Sequence, residues 1–150
     1  MPSRNQDMKK EVIALFDRYQ DQTNAALAGH PDMDAIGDLY EDAFIGASPG
    51  GVMAGRKDDE FTKAVAAGFA KYRQIGTRRM DVRNIQVELI DPLHALARVD
   101  WRATYDVKGA QKEIDFTNTY LTRVTNGRAR VFGWITGDED AELRKHGIIG

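Results

Sequence analysis

Cysteine is absent from the 150 residues, so disulfides, thiolate nucleophiles and cysteine-ligated metals are all excluded. Histidine is scarce, and His30, His94 and His146 lie far apart in the sequence, which argues against a histidine-based metal site. Charge of one sign is lacking too: 21 basic and 23 acidic side chains leave a net charge of −2, with nothing to attract nucleic acid or an anionic membrane. No apolar run reaches membrane-spanning length, and the polar stretch Met1–Glu11 has no hydrophobic signal core. The default expectations are therefore a cytoplasmic location and no membrane or nucleic-acid partner.

What is present is an ordinary globular composition, 42% hydrophobic and 29% charged, in a chain long enough to bury roughly 70% of its unfolded surface. Met8, Val12, Leu15, Phe16, Tyr19, Thr23 and Leu27 fall at steps of three and four, which predicts an amphipathic helix over about 7–28. Gly29 stops it, and Asp32 caps a short second helix through Ile36, Leu39 and Tyr40. Ala43–Ala47 reads as a short strand ended by the Pro49-Gly50-Gly51 turn. A third helix over 57–75 carries Phe61, Val65, Phe69 and Tyr72 on one face.

From Gly76 the hydrophobic period changes from 3.6 to 2. Met80 to Leu89 predicts one strand and Ala95 to Tyr105 a second. Ile114 to Val124 predicts a third, running to the hairpin signal Asn126-Gly127, and Val131–Thr136 closes the sheet. The charged tail Asp138–His146 predicts a final helical turn or two. Helices first and a long antiparallel meander second give an α+β class, read as a single domain over 1–150 with its core at about 8–137.

This element order resembles the nuclear-transport-factor-2-like superfamily, which includes ketosteroid isomerase and the SnoaL-like domains. The likeness also rests on Arg18-Tyr19, on Asp38-Leu39-Tyr40-Glu41-Asp42, on Gly127 followed by Val131-Phe132-Gly133-Trp134, and on the ending Gly133 to Glu139 then Leu143 to Gly147, which resembles an uncharacterised bacterial branch. The resemblance implies a cone made by a bent sheet wrapped around three helices. It also implies a ligand at the open end and a homodimer through the outer face of the sheet.

The chemistry of known members is not carried over whole. Tyr19 stands where the isomerase tyrosine would be, but Ser48 occupies the position of the base and Thr119 or Tyr120 that of the second acid. Gly46-Ala47-Ser48-Pro49-Gly50 matches the string of a nucleophile elbow, yet Pro49 has no N–H for an oxyanion hole. Arg98 and Asp100 resemble the arginine–aspartate pair of epoxide-hydrolase-like members, but Thr136 replaces the second aspartate. Strand parity directs Arg98 and Asp100 away from the face of Val99, Trp101 and Tyr105. Tyr19 and Asp100 are thus the candidate catalytic residues, with Asn118 the other group an enzyme on this scaffold would use. The Gly50, Gly51 and Gly55 spacing lacks the lysine and hydroxyl of a phosphate loop, and no cofactor is expected.

The cone lining is expected from Phe16, Tyr19, Tyr40, Val99, Trp101, Tyr105, Phe116, Asn118, Tyr120 and Trp134. Such a set suits a slot for a small apolar ligand. It equally suits a filled core in a dimerisation module, and a hydrolase or isomerase on the same scaffold is the other reading. Asn118, if it points inward, needs a partner, because an unpaired buried amide costs about 1–3 kcal/mol.

Overall fold

The apolar stripe read from Met8 to Leu27 forms helix α1, Arg4–Leu27, with Met8, Val12, Leu15 and Phe16 buried against the sheet. The computed structural model describes residues 4–150, so Met1–Ser3, the start of the polar stretch and of the 1–150 domain, lie outside the described residues. Asp32 accepts a hydrogen bond from the Ala35 N–H and caps α2, Met33–Gly37. Strands β1, Tyr40–Ser48, and β2, Gly51–Arg56, make a hairpin around Pro49-Gly50. Helix α3, Asp59–Gln74, starts at the Asp58 cap and ends at Gly76, whose φ of +97° is natural for glycine.

The meander follows as β3, Thr77–Leu89, β4, His94–Val107, β5, Ala110–Thr125, and β6, Arg128–Ile135. Lys108-Gly109 and Asn126-Gly127 turn the last two hairpins with φ values between 53° and 80°, the left-handed conformation that two-residue hairpin loops require. Helix α4, Glu139–Lys145, completes the chain. The α+β class stands, with six strands in the order β2-β1-β6-β5-β4-β3 and only β1 and β6 parallel.

Strand β2 was not foreseen. It holds two glycines and an alanine in six residues and lacks alternation, because it is an edge strand exposed along most of its length. Its partner β1 is longer than expected, beginning at Tyr40.

Alternation along β4 buries Ala95, Ala97, Val99, Trp101, Ala103 and Tyr105 on the concave face. The core joins this face to α1. The free edge of β3 is covered by amide side chains of α1: Asn24 both donates to the Met80 carbonyl at 2.9 Å and accepts from its N–H at 2.8 Å, and Gln20 accepts from Val82 at 2.6 Å. The edge is thereby closed to further pairing at Met80 and Val82. At the other side of α1, Arg128 and Arg130 both bind the Asp38 carboxylate, tying β6 to the end of α2. Burial alone would raise that carboxyl, but the two guanidinium groups outweigh it and hold it below its ordinary value.

Candidate functional site

Two features of the fold leave a space inside. Strand β6 pairs with β5 only from Thr119 onward, so residues 110–118 of β5 have β4 alone as a neighbour and their other edge is open. Helix α3 packs beside α1 and β3 with Val65, Phe69 and Tyr72 lining the space, yet none of its residues is fully buried. An amphipathic helix ordinarily buries its apolar stripe against the core. Here the stripe covers a cavity of about 640 Å³, within the range of small-molecule sites.

All five tyrosines of the chain line this cavity. Tyr19 and Tyr40 share a hydrogen bond of 3.0 Å, and their rings contact Phe16, Trp101, Tyr120 and Trp134. Tyr120 accepts from the Trp101 indole N–H at 3.0 Å and from the Asn118 amide at 3.4 Å. Asn118 therefore has the partner its position demands, through a long bond that leaves it able to meet a ligand. Burial, then the neighbouring Tyr40, raises the Tyr19 hydroxyl well above its usual pKa; burial, then Tyr19, does the same to Tyr120. Tyr40 rises by burial also. These phenols keep their protons at neutral pH, so the cluster supplies hydrogen bonds rather than a base.

The mouth is built by α3, the start of β3 and the segment leading into α4. Tyr72 donates to the Glu139 carboxylate at 3.1 Å, and its own hydroxyl is raised by burial and then by that charge. Tyr105 is pushed up to about 12 by burial and then by Glu139, with the approach of the Thr77 oxygen acting the other way. That approach falls short of a hydrogen bond, and Thr77 Oγ1 is buried without a partner, the residue being 1% exposed.

The sequence-derived lining divides in two. Tyr19, Tyr40, Tyr105, Phe116, Asn118, Tyr120 and Trp134 do line the cavity. Phe16, Val99 and Trp101 do not: each is at most 1% exposed and lies in the packed layer between α1 and β4. Inward parity placed them on the right face, but depth along the cone decides whether a face meets core or cavity.

Arg98 and Asp100 lie on the outer face of the sheet, where Asp100 accepts from Thr117 at 2.6 Å, away from the tyrosine cluster. Ser48 is at the β1–β2 turn, accepting from the Gly50 N–H. The sequence reading missed Tyr72, Thr77 and Glu139 as lining residues. Tyr72 was legible on the inner stripe of α3, whereas nothing in the sequence signals the other two.

His94 pairs with Asp91 at 2.9 Å and His146 with Glu142 at 3.4 Å, local contacts of histidine with a carboxylate. Among the described residues no group of three or more His, Asp or Glu side chains is placed to hold a metal ion. No described helix is long and apolar enough to cross a membrane.

Residues 10–139 match the family model described as NTF2-like protein (DUF6841). An NTF2-like protein with a cystatin-like fold from Novosphingobium aromaticivorans superposes with a TM-score of 0.67 at 16% identity, covering 95% of this chain and 88% of that one. An NTF-2-like protein of unknown function from Shewanella oneidensis gives 0.64 at 15% identity, over 87% and 98%. A ketosteroid isomerase-like protein from Erwinia carotovora gives 0.60 at 17% identity, over 85% and 93%. At such identities the likeness shows the fold alone. No curated protein matches the chain.

Proposed function

The chain belongs to the NTF2-like family, and on that scaffold we propose that it binds a small, largely apolar molecule in the cavity beneath α3. The observation that carries this reading is the half-buried apolar stripe of α3 facing about 640 Å³ of space lined by all five tyrosines. Apolar rings supply most of the contact, while Asn118 and the phenols fix one polar group of the guest. Tyr19, Tyr40 and Tyr120 keep their protons at neutral pH, which favours binding over isomerisation or hydrolysis at this cluster.

Thermal unfolding with a panel of small apolar alcohols, acids and amines tests this directly. A binder present at 100 times its dissociation constant adds about 2.7 kcal/mol, a rise of roughly 5–10 °C for a chain of this size. Failure of the whole panel to move the transition, together with no co-purified small molecule in native mass spectra, would refute the reading.

The same scaffold supports a cytoplasmic homodimer joined through the outer sheet face. Ile45, Val52 and Ile135 lie there at 42%, 69% and 53% exposure, on registered neighbours β1, β2 and β6. Apolar side chains so clustered mark a contact surface. Native mass spectra should show a dimer for the parent chain and monomer for Ile135→Lys, with the fold intact by circular dichroism; an unchanged dimer would move the interface elsewhere.

A further inference from the structure

The charge of the cavity lining is one-sided. Asp115, Asp138, Glu139 and Glu142 contribute to it, and no lysine, arginine or histidine does. Three of these carboxylates are already engaged. Asp115 is held bidentately by Arg102, Asp138 caps α4 through the Ala141 N–H, and Glu142 faces His146. Glu139 differs. Its partner is the neutral Tyr72 hydroxyl, and it forms no ion pair among the described residues. The positive end of α4 offsets roughly half a charge, which leaves the mouth negative.

A second, independent feature points the same way. Thr77 Oγ1 is buried, lacks a partner and lines the same cavity. A buried hydroxyl without a partner has lone pairs free to accept from a ligand's donor. Tyr72, Tyr105 and Phe116 line the same cavity, and aromatic faces attract cations. A carboxylate, a free hydroxyl acceptor and aromatic faces together recognise an ammonium group.

We propose that the ligand is a lipophilic amine, protonated at neutral pH, with its ammonium at the Glu139–Thr77 mouth and its apolar body among Tyr19, Tyr40, Phe69 and Trp134. This rests on the reading of the cavity as a ligand site. Its polarity follows from the mouth: an anion of the same shape meets an unneutralised carboxylate, and a neutral alcohol loses the charge contact.

Isothermal titration with octylammonium, octanoate and 1-octanol, all below micelle formation, separates the two ideas. Octylammonium should bind about tenfold tighter than 1-octanol and tighter still than octanoate. Glu139→Gln keeps an acceptor for Tyr72 and removes the charge, so it should abolish most of that preference by weakening octylammonium far more than 1-octanol. Equal binding of the three probes, tighter octanoate, or full preference retained in Glu139→Gln overturns the amine assignment and leaves the apolar cavity standing. Absence of binding by all three overturns both.

Discussion

Gly76→Ala should destabilise the chain by roughly 2–5 kcal/mol, while Gly29→Ala should cost only about 1–2 kcal/mol. Both glycines end a helix with positive φ, +97° at Gly76 and +92° at Gly29, so both substitutions carry the left-handed penalty of an L residue. The difference is space. An added methyl at Gly29 meets nothing within 4 Å, whereas at Gly76 it would sit 2.3 Å from the Asp106 carbonyl oxygen. That oxygen belongs to the backbone of β4, and the Asp106 N–H is itself bonded to the Gly76 carbonyl at 2.8 Å, so neither strand can yield without breaking the pair. Urea unfolding of the two variants measures the contrast. Equal losses would mean that the turn relaxes freely and that the close approach is not what holds α3 over the cavity.

Trp101→Ala carries the second large effect, an expected loss of about 3–5 kcal/mol from removing a large side chain that is 1% exposed. Two causes can be separated. Trp101→Phe retains much of the ring volume and loses the indole N–H that Tyr120 accepts at 3.0 Å together with a small part of the ring, which predicts about 1 kcal/mol. At roughly 3 °C per kcal/mol for a chain of this length, the two variants should melt about 9–15 °C and about 3 °C below the parent. If Phe proved as damaging as Ala, the hydrogen bond and not the volume would dominate. If Ala cost less than Phe, Trp101 would not be a core residue at all.

Much of the fold was legible because burial on one face leaves a periodic trace. The α1 stripe from Met8 to Leu27 and the alternation Ala95 to Tyr105 are both consequences of one-sided burial, and both were readable. The hairpin at Asn126-Gly127 was readable because its φ values demand those residue types. Strand β2 left no trace because neither face of an exposed edge strand selects for hydrophobicity.

The site was half legible for a related reason. Periodicity reports which way a side chain points, and so it brought Tyr19, Tyr40, Tyr120 and Trp134 to the right face. It does not report how far along the cone the packing stops, and so it could not separate Trp101 in the core from Tyr105 at the cavity. Thr77 and Glu139 are meaningful only through neighbours distant in sequence, Tyr105 for the one and Tyr72 for the other.

The parallel pairing of β1 with β6 has a consequence for how the chain is made. Tyr40 waits for Val131, ninety-one positions later, and α1 leans on the same late strand through Arg18 and the Ala129 carbonyl. At ribosomal speeds of about 5–20 residues per second, that interval lasts roughly 5–18 s. Early in it the nascent chain carries the α1 apolar stripe uncovered and the β1 edge unpaired. The β3–β4–β5 meander, whose contacts are local, can form first and offer the helix a partial shelter. The sheet becomes whole only when its last strand leaves the exit tunnel and slides between two strands already made.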